Sequence, residues 1–198
     1  MAGPEEVGAR VMKPPELRTR RLVLRPLLPA DADAIEKLGG RDFEVARWTT
    51  GFAWPYEEGS AETFVEEALS CNPAVREAVF AVTLGGVFIG VVAMEAPGDL
   101  EEYAKLPTLG YWIGRPFQGF GYAFEAAQAV LDWAFEAHGA PGFAARVFKD
   151  NGRSRKLLEK IGFVSTGQCK RYSRARGEVV ENFTMCLERK EFEKRYSS

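Results

Sequence analysis

The stretch from Gly110 to Phe135, GYWIGRPFQGFGYAFEAAQAVLDWAF, constrains the fold of this chain more than any other. An apolar run comes first, followed by a glycine-rich turn and a long amphipathic segment. Apolar residues at positions 123, 127, 130, 131, 134 and 135 recur with the spacing of one helical face. Gly119 and Gly121 permit backbone conformations that are closed to residues with a Cβ. The stretch therefore predicts a strand, a glycine loop and a helix that begins near Gly121.

The start of that helix is a candidate anion site. Its first turn offers unpaired N–H groups and the positive end of the helix dipole, which together suit a phosphate or pyrophosphate. Two common phosphate loops do not fit. The P-loop requires Lys and Ser or Thr where Phe120 and Gly121 stand, and the dinucleotide fingerprint requires glycine at Phe124. From the glycines alone, a plain turn before a helix is the simpler interpretation.

The sequence Gln118 to Ala123, QGFGYA, resembles the (Q/R)-x-x-G-x-(G/A) motif of the GNAT (GCN5-related N-acetyltransferase) superfamily. The surrounding YWIGRPFQGFGYAFEA is similar to the branch that includes the RimJ and RimL ribosomal-protein N-terminal acetyltransferases. The opening LxTxRLxLRPL, from Leu17 to Leu27, resembles the start of that branch. A downstream block resembles N-x-x-S…L-E-K-x-G-F and comprises Asn151, Ser154, Leu158, Glu159, Lys160, Gly162 and Phe163. The resemblance therefore covers nearly the whole chain.

The predicted elements agree with this resemblance. A strand at Leu22–Leu24 precedes a short helix capped by Asp31, and a second helix runs from about Ser60 to Leu69. A hairpin turns at Gly85-Gly86. Later elements are strands at 108–113, 144–148, 163–172 and 178–187, and a helix at 151–161. The resemblance implies an α/β (α+β) single-domain fold, with a mixed, mostly antiparallel seven-stranded sheet, helices on both faces, and a splayed parallel pair that forms the acetyl-CoA cleft.

Composition limits the organisation of the chain and its partners. Its 198 residues, 46% hydrophobic, suffice for one core, so we expect a flexible tail at 1–15, one domain at 16–190 and a solvated extension at 191–198. A net charge of -2 gives no reason to expect nucleic acid as a partner. No apolar run has the roughly 18 residues of a membrane span, and the N-terminus does not read as a signal peptide. A cytoplasmic protein is expected.

The few cysteines and the single histidine argue against metal sites and against histidine-based catalysis. Cys71, Cys169 and Cys186 lack metal-ligand spacing, so we expect reduced, buried thiols and no metal. His138 is the single histidine, which disfavours histidine-based nucleophilic catalysis and rules out multi-histidine metal centres. Its place at the end of the long helix indicates a structural or surface role.

The resemblance implies direct transfer of an acetyl group from acetyl-CoA, the co-substrate, to a primary amine. The strand residues Tyr111, Trp112 and Ile113 would bind pantetheine through their main chain. The pyrophosphate would lie on the loop, which comprises Gln118, Gly119, Phe120, Gly121, Tyr122 and Ala123. Asn151 and Arg153 would complete the cofactor site, although Asn151 is also a good helix cap. Most other basic side chains late in the chain read as a solvated helix face and turn.

Two catalytic roles follow from the same comparison. Ser154 is the counterpart of a proposed proton donor to the thiolate, or a residue that hydrogen-bonds within its helix turn. Many members of the superfamily have a tyrosine where this chain has Leu158, and relatives often have glutamate where it has Thr108. Glu95 is therefore the candidate general base, acting through water; an exposed strand-end glutamate is the alternative.

The acceptor is the least constrained part of the prediction. Trp48, Trp54 and Tyr56 lie in an aromatic-rich loop and are candidates for the wall of the acceptor pocket, or for ordinary packing. The acceptor is a protein N-terminal amine or a small-molecule amine, and the protein is a monomer or a homodimer. A non-catalytic module that binds and senses acyl-CoA is the alternative function.

Overall fold

The computed structural model describes residues 14–70, 77–98 and 100–196. In this part of the chain, one sheet of eight strands runs in the order β1-β2-β3-β4-β5-β6-β8-β7. The strands are β1 Leu17–Arg18, β2 Leu22–Pro26, β3 Ala78–Leu84, β4 Val87–Glu95, β5 Thr108–Ile113, β6 Gly142–Phe148, β7 Val164–Ser173 and β8 Glu178–Glu188. The helices are α1 Ala32–Ile35, α2 Phe43–Ala46, α3 Ser60–Ser70, α4 Tyr122–His138, α5 Gly152–Ile161 and α6 Arg189–Tyr196.

The sheet has an apolar layer on each face. The larger layer buries α4, α5 and α6, and its fully buried side chains include Phe80, Phe143 and Phe163. The smaller layer lies under α1 and α3 and includes Ile35, Val65 and Val91. Because both faces of the central strands are covered, β3 and β4 read as nearly continuous apolar runs.

The strands β5 and β6 are parallel and separate almost at once. Within these two fully described strands, Thr108 with Ala144 is the single register pair. One hydrogen bond, from Ala144 N–H to Pro107 C=O, measures 2.9 Å and marks the junction. Beyond it the strands diverge, so the predicted splayed pair is confirmed and a gap opens in the middle of the sheet.

Glycines with positive φ begin and end the long helix. Gly121, with φ of 83°, precedes α4, and Gly139, with φ of 56°, follows its last residue. The hairpin between β3 and β4 turns at Gly85 and Gly86, whose φ values are 57° and 85°. Both turns were expected from the sequence, because glycine alone adopts these angles without strain.

Four local predictions differ from the structure. The sheet has eight strands rather than seven, because Leu17 and Arg18 pair with β2. Asp31 does not cap α1 with its side chain; its carboxylate binds the Arg25 guanidinium at 2.7 and 2.8 Å and the Leu28 N–H at 2.7 Å. The aromatic loop contains the one-turn helix α2. The C-terminal extension is helix α6, which buries Phe192 against the larger core.

The thiols and the histidine also have defined surroundings. Cys169 and Cys186 are half-buried rather than buried, and burial raises the pKa of the Cys186 thiol. Cys71 and most of the predicted tail lie outside the described residues. The His138 ring packs edge-on against Trp133, with ring centroids 5.2 Å apart, which is a structural role.

Candidate active site

A cleft of about 1760 Å³ occupies the gap between β5 and β6 and extends to both faces of the sheet. Its lining includes β5, the glycine loop, the start of α5, and the segment from α2 to α3. The cleft thus brings together residues that are far apart in sequence. We call the side that carries α4 and α5 the loop side, and the side that carries α1 and α3 the far side.

The main chain of β5 faces the gap at every second residue. Gly114 N–H donates to Ile89 C=O on β4 at 2.8 Å. Main-chain groups alternate in direction along a strand, so the main chain of Trp112, two residues earlier, also points to β4. Tyr111 and Ile113 therefore direct their main-chain groups toward β6. Of the three residues predicted to bind pantetheine, Trp112 instead uses its main chain in the sheet and packs its ring on the far side.

The glycine loop has the geometry of an anion site. Gly119 and Gly121 have φ values of 88° and 83°, which favour glycine. A Cβ on Gly119 would meet nothing within 4 Å, so its conformation rather than crowding requires glycine there. The Gln118 side chain donates through Nε2 to Ile113 C=O at 2.8 Å and ties the loop to the end of β5. Phe120, at the tip, is 61% exposed.

Arg21 holds the loop from the opposite side. Its Nη1 donates to Phe120 C=O at 2.9 Å, and its Nε donates to Glu125 Oε2 at 2.7 Å. Its guanidinium also lies 4.6 Å from the centre of the Tyr122 ring. The Glu125 carboxylate accepts a further hydrogen bond from Thr19 Oγ1 at 2.6 Å. Glu125 thus joins the turn between β1 and β2 to α4, in addition to lying near the positive end of the helix dipole.

Tyr111 and Ser154 form a pair on the loop side of the cleft. The Tyr111 hydroxyl lies 2.8 Å from Ser154 Oγ. Burial of that hydroxyl raises the pKa of Tyr111 to about 12, against a smaller lowering by the hydrogen bond with Ser154. The phenol therefore stays protonated across the physiological range. Asn151 caps α5 by accepting the Ser154 N–H on Oδ1 at 3.1 Å, which sets the position of Ser154.

Glu95 and Thr108 face each other across β4 and β5 at the point where the gap begins. Glu95 is half-buried, and its Oε1 lies 3.5 Å from where a Cβ on Gly110 would stand. The carboxylate therefore lies over a strand residue that lines the cleft. Both Glu95 and Ser154 line the same cleft, as does the exposed Arg153 at the start of α5.

The three aromatic candidates separate in the structure. Trp48 lines the cleft, and the guanidinium groups of Arg47 and Arg176 lie 4.8 and 4.7 Å from the centre of its ring. Trp54 is 43% exposed and packs on Phe43, outside the lining residues. Tyr56, also outside them, accepts the Ala61 N–H on its hydroxyl at 3.2 Å. Trp54 and Tyr56 therefore stabilise the loop rather than wall the cleft.

The comparisons with known proteins decide the family. A family model described as an acetyltransferase (GNAT) domain matches residues 21–164. The chain belongs to the GNAT acetyltransferases. It is 30% identical over 168 residues to the uncharacterized N-acetyltransferase YoaA of Bacillus subtilis, covering 80% of this chain and 88% of that protein.

Two further comparisons bear on this GNAT chain. It is 31% identical over 84 residues to the uncharacterized N-acetyltransferase p20 of Bacillus licheniformis, a match that spans 42% of this chain and 47% of that protein. The structure of Mycobacterium smegmatis RimJ in complex with CoA-disulfide has the same fold, with a TM-score of 0.73 and 24% identity, and covers 89% of this chain and 87% of that one. The GNAT family and the N-acetyltransferase names of its relatives identify the chain as an N-acetyltransferase.

Two arginines of this chain make defined contacts where the sequence predicted only a solvated turn. Arg174, between β7 and β8, donates to Gly51 C=O at 3.1 Å and pairs with Glu57 at 2.7 Å. Arg176 donates to Arg47 C=O at 3.0 Å and pairs with Asp150 at 2.9 Å. Together they fasten the segment between α2 and α3 over the cleft. No local sequence signal identifies them, because all their partners are distant in sequence.

Arg21 was likewise absent from the predicted site. Its place in the LxTxRLxLRPL opening was a signal of resemblance without a role. In the part of the GNAT chain that the structure describes, no helix is long and apolar enough to cross a membrane, and no group of three His, Cys, Asp or Glu side chains could hold a metal ion.

Proposed function

We propose that this acetyltransferase transfers the acetyl group of acetyl-CoA directly to a primary amine, without an acyl-enzyme. The observation that carries the proposal is the gap between β5 and β6, which has the glycine loop at one end and the Tyr111–Ser154 pair beside it. An open strand edge suits the amide groups of a pantetheine arm, and the loop amides suit a pyrophosphate. These features fit coenzyme A, which supplies the activated acetyl thioester.

Binding of the donor would use main-chain groups more than side chains. The Tyr111 N–H faces the gap and is the candidate donor to the thioester carbonyl, where negative charge develops during attack. Loop residues Gly119 to Ala123 would hold the pyrophosphate, and Arg153 lies exposed at the same cleft. Most of the rate enhancement would come from holding donor and acceptor together.

Ser154 is the proposed donor of a hydrogen bond and proton to the leaving thiolate. Tyr111 supports this role as a positioning residue. Because its phenol remains protonated, it can donate to Ser154 Oγ at 2.8 Å and leave the serine proton free to point elsewhere in the cleft. This pair would take the place of the tyrosine that many superfamily members have where this chain has Leu158. Leu158 is 1% exposed and belongs to the larger core.

Glu95 is the proposed general base. The amine must lose a proton before or during attack, and the half-buried Glu95 carboxylate lies beside β5, the strand that would bind the thioester. A water between carboxylate and amine would carry the proton. The acceptor is a protein N-terminal amine, as the RimJ/RimL resemblance suggests, or a small-molecule amine.

The proposal is tested by thiol release from acetyl-CoA with peptides and small amines, beside calorimetry of acetyl-CoA binding. Ser154→Ala should lower kcat about 100-fold, the low end of acid-base catalysis, without weakening acetyl-CoA binding. Tyr111→Phe should lower kcat less, and should add little in the Ser154→Ala background, because it acts through Ser154. Tyr196→Phe, which removes a distant hydroxyl bonded to Lys160 C=O, is the control. Tight binding without turnover of any amine would favour the sensing module.

A further inference from the structure

Two buried polar atoms at the cleft have no hydrogen-bond partner among the described residues. They are Thr108 Oγ1 and Asn182 Oδ1, whose residues are 3% and 0% exposed. Both residues line the cleft. Native proteins pair nearly all their buried polar groups, so an unpaired one at a binding cleft requires an explanation.

The two atoms belong to one face of the sheet. Thr108 is in register with Ala144 on β6, and Asn182 is in register with Phe148 on the same strand. Ala144 and Phe148 are four positions apart on β6, so their side chains point to the same face of the sheet. The side chains in register with them, Thr108 and Asn182, therefore share that face. That face is the far side. Trp112 is four positions from Thr108 on β5, so the two side chains share a face, and Trp112 packs with the smaller core. The four-residue offset along β6 corresponds to roughly 13 Å, and the two strand spacings from β5 across β6 to β8 add roughly 10 Å at right angles to it. The two residues therefore lie roughly 16 Å apart.

The chemistry of each atom is restricted. The Asn182 amide donates through Nδ2 to Val180 C=O at 2.9 Å, which leaves Oδ1 facing elsewhere as a pure acceptor. The Thr108 hydroxyl lies where β5 and β6 part and faces Glu95 across the strands. One position therefore suits an amine next to the thioester, and the other suits an N–H group farther along the acceptor.

We propose that Thr108 and Asn182 are specificity-determining residues for an extended acceptor. Thr108 Oγ1 accepts a hydrogen bond from the reacting amine, and Asn182 Oδ1 accepts one from a neutral amide N–H about four residues along an extended peptide. Four extended residues span roughly 13 Å, and two hydrogen bonds of roughly 2.9 Å each cover the rest of the distance. A neutral amide suits Asn182 better than a second ammonium, because burying an uncompensated charge is costly. This inference rests on the proposed function and narrows its acceptor.

Thr108→Val is the first test because it keeps the shape and removes the hydroxyl. Since Oγ1 has no protein partner, the melting temperature should stay the same or rise. The acetyl-CoA dissociation constant should stay within about twofold, whereas kcat/KM should fall about tenfold for alanine amide and tetraalanine amide alike, as expected for a lost hydrogen bond to a charged group. Thr83→Val is the matched control: it loses a 2.8 Å bond to Val23 C=O away from the cleft, so stability should fall without a change in kinetics.

Asn182→Ala separates the second contact. The readout is the ratio of kcat/KM for tetraalanine amide to that for alanine amide, which does not depend on the folded fraction. The ratio should fall several-fold in Asn182→Ala and stay unchanged in Thr108→Val. If Asn182→Ala lowered only the ratio of kcat/KM for spermidine to that for butylamine, Asn182 would bind an ammonium group, and the assignment to an amide N–H would be overturned. Full activity of Thr108→Val, or an unchanged ratio in Asn182→Ala, overturns the inference alone. Acetyl-CoA binding without turnover of any amine overturns the proposed function and the inference with it.

Discussion

Removing the Arg21 side chain should loosen the glycine loop and weaken acetyl-CoA binding. In Arg21→Ala, the loop loses the 2.9 Å bond to Phe120 C=O, and Glu125 loses the guanidinium that holds it at 2.7 Å. The Tyr122 ring also loses the cation over its face. Glu125 keeps the Thr19 hydroxyl as a partner, so its carboxylate is not left alone.

The expected cost is modest because the site is partly solvated. The side chains of Arg21 and Glu125 are 39% and 18% exposed, which places the ion pair between a surface pair and a buried one. With the lost carbonyl bond, we expect about 1 to 2 kcal/mol less stability. Acetyl-CoA affinity should fall about tenfold, the equivalent of 1.4 kcal/mol, because the loop amides must then be ordered on binding.

The pH dependence follows from Glu125. Burial raises its pKa, but hydrogen bonds from Thr19 and Arg21 outweigh burial and lower the pKa below the ordinary value of 4.5. A lowered folded-state pKa contributes stability above the unfolded pKa, and this contribution is lost as the pH falls through the folded value. The difference in stability between wild type and Arg21→Ala should therefore be full at neutral pH and shrink below about pH 4.5.

Calorimetry with acetyl-CoA and urea unfolding between pH 3 and 8 measure both effects. Arg18→Ala is the charge-matched control, since Arg18 is 74% exposed and pairs with Glu16 away from the loop. Wild-type affinity for acetyl-CoA in a destabilised Arg21→Ala protein would contradict this prediction, because Arg21 would then support the fold without shaping the loop. If Arg21→Ala and Arg18→Ala lost acetyl-CoA affinity equally, the loss would be explained by the change in net charge alone.

Two further predictions concern the far side of the cleft and the C-terminus. Arg176→Ala should raise the acceptor KM several-fold and leave acetyl-CoA binding unchanged, because the α2–α3 segment loses the contacts of Arg176 with Arg47 and Asp150. Steady-state kinetics measure the acceptor KM, and Lys170→Ala, at an exposed residue, is the control. Phe192→Ala should lower the free energy of unfolding by about 3 kcal/mol, because Phe192 is 3% exposed and its ring centroid lies 5.1 Å from that of Phe135. Calorimetry should show a melting temperature roughly 10 °C lower. A shift below about 2 °C would mean that α6 is dispensable.

The predicted loop agrees with the structure because its signals are local. Gly121 and Gly139 bound α4 as expected, since positive φ is a property of single residues. The N-terminus of α5 is equally local, because Asn151 is followed at the right spacing by the N–H it caps. The additional strand β1, by contrast, has only two residues and depends on its pairing with β2. The one-turn helix α2 is similarly too short for a periodic pattern.

Within the site, sequence reasoning found single residues but not their pairing. Ser154 was a candidate from its motif, whereas its contact with Tyr111 crosses 43 positions. The aromatic loop supplied three candidates, but only the folded loop distinguishes Trp48, at the cleft, from Trp54, on the surface. The Asp31 carboxylate illustrates the same limit, since a cap and a salt bridge with Arg25 are equally compatible with its residue type.

The amino-acid sequence was enough to predict the strand, glycine loop and helix between Gly110 and Phe135, because dihedral preferences and helical periodicity act between near neighbours. The resemblance of this stretch to the GNAT motif predicted the family and the proposed donor site. The folded structure was needed to show what surrounds the proposed donor site: the contact between Tyr111 and Ser154, the fastening of the α2–α3 segment by Arg176, and the unpaired oxygens of Thr108 and Asn182. Their partners come from separate strands and helices. Burial and pairing at such positions depend on how the whole sheet packs, which no local pattern of residues encodes.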